Sequence, residues 1–205
     1  ARALLDFARE HDALVIEDDY DGEFRYGTRP LDALQTLDRD GRVIYVGTFS
    51  KSLFPSLRMG YVVAPEWLRD ALAAAKEGAD TCGSAQVQDA LADFILEGHL
   101  GRHVRRMRRV YAGRREALFG MLDGPLSRWF QAIPSEAGIH VAARFVDPER
   151  ADALLPRVRE HAAGAMPLRA LSQRADAVHG VAFGMGCVDE ALILERLDAL
   201  AKVLR

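Results

Sequence analysis

Apolar positions recur along the chain in two rhythms. Leu4, Leu5 and Ala8 fall at helical spacing within 2–9, and a His-Asp break leads into an apolar strand at 13–16. The pair Asp40-Gly41 signals a turn before a second strand at 43–48, and a third strand at 59–64 closes on Pro65. All three runs are almost continuously apolar, as expected of one sheet whose two faces are covered by helices. Composition leaves their direction open.

Helical spacing then takes over. An alanine-rich helix is predicted at 66–77 and another at 84–97. A long one at 100–122 carries Leu100, Val104, Met107, Tyr111, Leu118 and Leu122 on one side and ends at Asp123-Gly124-Pro125. Beyond it the chain shortens its stride: strands at 129–133 and 139–145, a helix at 149–162, a strand at 178–183 and a helix at 189–204. This is α/β organisation followed by a smaller α+β domain, with the boundary within or just after the long helix. The first helix and strand open in mid-pattern without an initiator methionine, so the chain is expected to be a piece of a longer polypeptide. No internal repeat or low-complexity tract interrupts it.

Composition narrows the class. At 205 residues, 49% hydrophobic and 28% charged, the chain can bury a large core. A net charge of -3 and a pI near 6.1 give no overall attraction to nucleic acid or anionic membrane. No apolar run approaches the roughly 20 residues that cross a bilayer. Cys82 and Cys187, without CxxC spacing or a signal peptide, fit a reducing cytoplasm and plain thiols.

The chemistry gathers at two strand ends. Lys51 stands in Gly47-Thr48-Phe49-Ser50-Lys51-Ser52 directly after one strand, and Glu17-Asp18-Asp19-Tyr20 follows another. Polar clusters at the carboxyl ends of buried strands mark a ligand crevice. A lysine amine there can lose its proton and attack an aldehyde, and pyridoxal phosphate supplies one. Its ring nitrogen calls for a carboxylate, which Asp18 or Asp19 can provide. Its phosphate calls for hydroxyls and an arginine, which Thr48, Ser50 and Arg58 can provide.

Competing readings are weaker. Asp18, Asp19, Asp21 and Glu23 lack the rhythm of a calcium loop. The 47–52 segment lacks the glycine spacing of a nucleotide-binding P-loop. His99 and His103 lie four apart, yet without the glutamate of a zinc helix or a third ligand. No metal site is therefore expected. The arginines of the long helix, from Arg102 to Arg115, are spread around it and read as a solvated face with interdomain ion pairs.

The segments Val-Ile-Glu-Asp-Asp-Tyr-Asp-Gly-Glu-Phe-Arg-Tyr at 15–26 and Val-Gly-Thr-Phe-Ser-Lys-Ser-Leu-Phe-Pro-Ser-Leu-Arg-Met-Gly-Tyr at 46–61 resemble the fold-type I aminotransferases. With Gly-His-Leu-Gly-Arg-His-Val-Arg-Arg-Met-Arg-Arg at 98–109, the pattern is most similar to the aminotransferase-like effector domain of MocR-type transcriptional regulators of the GntR superfamily. The resemblance is clear over 1–145 and looser to Arg205.

That resemblance implies a partial fold-type I transferase: residues 1–97 as the C-terminal part of the large cofactor-binding domain, 98–123 as the interdomain helix and 124–205 as the small α+β domain. It implies that Lys51 forms the internal aldimine, Asp18 faces the pyridine nitrogen and Tyr20 bonds the phenolic oxygen, while Thr48, Ser50 and Arg58 hold the phosphate. Alternation along an extended segment agrees with Asp18 rather than Asp19. It further implies a homodimer, and DNA binding only through an upstream domain outside this chain.

Two departures from the family pattern matter. The family's upstream phosphate cup, stacking aromatic and asparagine fall outside the chain. The arginine that grips a substrate's α-carboxylate, three residues before the strand phenylalanine, is here Gly180. Arg169 or Arg174 is the expected substitute, because a guanidinium reaches several ångströms and grips a carboxylate bidentately. The expected function is therefore sensing of a small amine or amino acid by a regulator. A catalytic aminotransferase is the alternative.

Overall fold

The computed structural model describes residues 1–27, 32–80, 83–162, 164–174 and 176–204. Three strands form a first sheet in the order β1 (Val15–Asp19), β2 (Val43–Thr48) and β3 (Gly60–Val63). β1 runs parallel to β2, with Ile16 opposite Ile44 and Asp18 opposite Val46. β3 returns antiparallel, with Thr48 opposite Gly60. The helix α1 (Arg2–Glu10) precedes β1, and a short helix α2 (Leu34–Leu37) lies on the connection that a parallel pair requires.

β1 reaches three residues further than its apolar run implies. Acidic residues are poor strand formers, yet here each backbone position pairs with β2, and Glu17 accepts hydrogen bonds from the N–H groups of Leu34 and Gln35 at 2.8 and 2.9 Å. Those bonds tie the start of α2 to the strand. The turn into β2 is built by Asp38, whose carboxylate accepts from the N–H groups of Asp40, Arg42 and Val43 at 3.0, 2.6 and 2.8 Å. Gly41 takes φ 63°, the left-handed conformation that makes Asp-Gly a turn pair.

The chain divides into two compact units, Ala1–Glu23 with Thr28–Arg105, and Phe24–Gly27 with Arg106–Arg205. The division falls inside a long helix, α6 (His99–Asp123), preceded by α4 (Arg69–Ala79) and α5 (Ala85–Leu96). One short segment differs from the expected grouping of 1–97. Phe24 is fully buried in the core of the second unit, its carbonyl accepts from the N–H of Gly138 at 2.8 Å, and the N–H of Tyr26 donates to Glu136 at 2.8 Å. Four residues are too few for periodicity to reveal such a crossing.

The second unit carries a four-stranded antiparallel sheet ordered β4 (Phe130–Ile133), β5 (His140–Phe145), β7 (Gly180–Gly184) and β6 (Met166–Pro167). Alternation buries Val141, Ala143 and Phe145 on one face of β5. They pack with Leu122 of α6, Val158 of α7 (Ala151–His161) and Leu197 of α8 (Glu190–Val203) in one core. Each fully buried large apolar side chain contributes about 1.5–3 kcal/mol. Asp189 caps α8 by accepting from the N–H of Leu192 at 2.8 Å.

Candidate functional site

The carboxyl ends of β1 and β2 lie side by side, and their side chains sort by parity onto two faces. Glu17 and Asp19 share a face with Tyr45 and Gly47; Ile16 and Asp18 share the other with Val46 and Thr48. On the first face the hydroxyl of Tyr45 donates to Asp19 Oδ2 at 3.0 Å. Burial, then hydrogen bonds with Tyr61 and Asp19, push the Tyr45 hydroxyl well above its usual range, so it remains a donor. Two glycines leave room for this contact. A Cβ on Gly22 would collide with the Asp19 carboxylate, and one on Gly47 with the ring of Tyr61.

On the second face Ile16 is 70% and Val62 52% exposed, while Tyr61 and Val63 are exposed on the first, and the Asp18 side chain is exposed with no hydrogen bond or ion pair among the described residues. Tyr20, just beyond the strand, is exposed as well.

Thr48 starts a single helical turn, α3 (Phe49–Ser52), because its Oγ1 accepts from the N–H of Ser50 at 3.1 Å. The same hydroxyl donates to the carbonyl of Met59 at 3.2 Å. The two bonds tie α3 to the strand that returns beside β2. Lys51 sits half-buried on that turn, without a hydrogen bond or ion pair among the described residues. Ser52, which the sequence reading passes over, is 1% exposed and its Oγ has no partner among the described residues. Its repeat of Ser50 around Lys51 is the signal that could have found it.

Arg58 follows a turn at Pro55–Leu57 and adopts φ 51°, ψ 37°. A non-glycine residue in that region is uncommon and costs of order 1 kcal/mol or more, so the surrounding structure over-determines it. Lys51, Ser50, Thr48, Arg58, Asp18 and Tyr20 thus all belong to the first unit. Backbone pairing sets β1 beside β2, and α3 continues directly from β2.

Arg169 and Arg174 belong to the second unit. Arg169 pairs with Asp152 at 2.6 Å, and Arg174 forks onto Asp176 at 2.8 and 2.7 Å; both arginines are exposed. At Gly180 a Cβ would run into the carbonyl of Ala143 on the neighbouring strand and lie 2.8 Å from Leu168 Cδ1. An arginine at position 180 would have to displace β5.

His99 is held between Glu97 at 2.9 Å and Arg102 at 2.8 Å. Among the described residues no group of three or more His, Cys, Asp or Glu is arranged to hold a metal ion. Cys187 is exposed and free; Cys82 lies outside the described residues. No described helix is long and apolar enough to cross a membrane.

The profile of the aminotransferase class I and II family matches residues 1–168. The chain is 36% identical over 197 residues to a Rhizobium meliloti protein named as a probable rhizopine catabolism regulatory protein, MocR, covering 96% of this chain and 40% of that protein. It is 30% identical over 207 residues to aromatic-amino-acid aminotransferase 1 of Thermococcus litoralis, covering 100% of this chain and 49% of that enzyme. Among solved structures, the Pyrococcus horikoshii kynurenine aminotransferase, determined with PMP, superposes with a TM-score of 0.86 at 30% identity over 99% of this chain and 50% of that one. The chain thus spans about half or less of the length of these relatives.

Proposed function

Because the chain belongs to the aminotransferase class I and II family, we propose that it is the effector-sensing part of a MocR-type transcription regulator and that Lys51 is the anchor of its pyridoxal 5'-phosphate. One observation carries the reading. At the paired strand ends Asp19 is bonded to Tyr45 while Asp18, on the opposite face, and Lys51, on the adjoining turn, have no partners among the described residues.

The residues fit the cofactor. When bound, pyridoxal phosphate supplies an aldehyde for an amine to condense with and a pyridinium ring that withdraws electrons. The Lys51 amine would hold the aldehyde carbon, and Asp18 would keep the ring nitrogen protonated. Tyr20 would donate to the phenolic oxygen. Arg58, fixed in its left-handed conformation, and the Ser50 hydroxyl would hold the phosphate, with Thr48 securing the turn that presents them.

With the cofactor bound, Lys51 would give up that position to a small amine or amino acid. Its binding favours one conformer of the domain over another, and that preference is what a regulator transmits. DNA is contacted through a separate domain of the protein, and the domain pairs as a homodimer. The catalytic reading, in which the freed Lys51 removes a proton from the ligand's α-carbon, draws on the similarity to the Thermococcus enzyme. The packing at Gly180 weighs against it, because no arginine stands there to grip an α-carboxylate.

Lys51→Ala in the full-length protein tests the anchor. Wild type treated with borohydride should retain the cofactor covalently in its intact mass, and the variant should not. Covalent cofactor in Lys51→Ala would overturn the assignment. Rapid turnover with an amino donor, without an effect of that donor on DNA binding, would replace sensing by catalysis.

A further inference from the structure

We infer that the second unit carries a separate site for a small polyanion, built on the arginine-rich face of α6. On that helix Arg108, Ala112, Arg115 and Phe119 recur at spacings of four, three and four, so they form one stripe. The segment Phe24–Gly27 lies against it, pinned by the pairing of Arg25 with Ala137 and by the bond from Tyr26 to Glu136. Between them is an open cavity of about 410 Å³, within the size range of small-ligand sites.

Charge and orientation are both specific. Arg25, Arg108, Arg109 and Arg115 line the cavity, and among the described lining residues Glu116 is the one carboxylate. Arg115 lies over two rings, its guanidinium carbon 5.1 Å from the centre of Tyr26 and 4.6 Å from that of Phe119. Such stacking fixes the plane of the guanidinium and leaves its N–H edge to hydrogen-bond. An oxyanion in the cavity would accept from the guanidinium N–H groups of the arginines that line it and offset part of the excess positive charge around it.

The chemistry that answers this geometry is a ligand with two or more negative charges on phosphate or carboxylate groups, because both accept the forked donors of arginine. Ala112 leaves the floor of the stripe free of a long side chain. The site shares no residue with the Lys51 cradle.

The test is calorimetric titration of the full-length protein with inorganic pyrophosphate and, separately, citrate, at fixed ionic strength so that general screening is constant. Arg115→Met, Arg25→Gln and, on an exposed helix of the first unit, Arg69→Met are measured beside wild type. The expected result is an affinity for one or both probes that falls at least about tenfold in Arg115→Met and severalfold in Arg25→Gln, with Arg69→Met unchanged. The probe that shows this dependence identifies the anionic group. Arg25 is exposed, so Arg25→Gln keeps the test valid if Arg115→Met fails to fold. No binding of either probe, or binding that Arg25→Gln leaves at the wild-type affinity, would overturn the inference.

Discussion

Asparagine at position 18 and at position 19 should produce opposite phenotypes, although the two aspartates are neighbours. Asp19 accepts the Tyr45 hydroxyl at 3.0 Å on one face of the first sheet. In Asp19→Asn the side chain still offers a carbonyl oxygen but no charge, so the loss is part of one charge-assisted bond, about 1 kcal/mol. For a chain of this length that lowers Tm by roughly 2–4 °C. Asp18 has no protein partner among the described residues, and Asp18→Asn should leave the cofactor-free melt unchanged. With cofactor the order reverses. A carboxylate facing a cationic ring nitrogen is worth about 1–3 pKa units of mutual stabilisation, at about 1.4 kcal/mol each. Asp18→Asn should therefore weaken cofactor affinity by about 10- to 1,000-fold, and Asp19→Asn by little. Absorbance titration of cofactor, paired with melts of the cofactor-free proteins, reads both effects. Loss of affinity in Asp19→Asn with normal affinity in Asp18→Asn would refute the facing of the strand towards its ligand.

Two further outcomes concern stability. Asp38→Ala removes the acceptor of three backbone N–H groups at the entry to β2 and should cost about 2–3 kcal/mol in denaturant melts. Burial opposes the Asp38 charge, but the N–H groups of Val43, Asp40, Arg42 and Gly41 outweigh it and hold the carboxyl below 3.8. Its stabilisation is thus present above that unfolded value and lost as pH falls through the lower folded one. The gap between wild type and Asp38→Ala should narrow as melts are moved from neutral pH towards the acid limit, and a constant gap would count against it. Gly180→Ala should destabilise by about 1–3 kcal/mol through overpacking between β7 and β5, and an unshifted denaturation midpoint would show that the strands give way freely.

The parts of the fold that are legible in the sequence are those with a long signal. The apolar run at 43–48 coincides with β2, and the periodic stretch at 100–122 falls within α6. The aminotransferase family is legible too, because two motifs of a dozen or more residues carry it. What escapes has either too few residues or a cause distant in sequence. α2 and α3 have four residues each and cannot show a period. The strand through Glu17 and Asp19 depends on partners at 34, 35 and 45, which no local pattern reveals. Thr48 reads as a phosphate donor by its place before Lys51, and no local pattern reveals that its hydroxyl also donates to the carbonyl of Met59, eleven residues away. Of the arginines of α6, Arg102, Arg105, Arg106, Arg108 and Arg109 are exposed, as a solvated face requires; Arg114 and Arg115 are half-buried, and Arg115 lies against Tyr26, on a segment distant in the chain.

The same distinction bears on sensing against turnover. A regulator needs a ligand that prefers one conformer; moving a two-state equilibrium from 1:99 to 99:1 takes about a 10⁴-fold difference in affinity. In the proposed site, taking the place of the Lys51 amine is the one contact that every amine ligand would make, and the preference must come from contacts that differ between the two conformers. A carboxylate clamp would add to it, and the two arginines available are already paired, Arg169 with Asp152 and Arg174 with Asp176. Those pairs are exposed and held in water, so leaving one of them costs little. Equally, an arginine that must be drawn from the surface arrives without the fixed plane that strand packing gives. On this reading the ligand's amine carries the affinity and any carboxylate refines it. That suits a domain that reports binding, and it suits poorly one that must hold an α-carbon in a single orientation for proton removal.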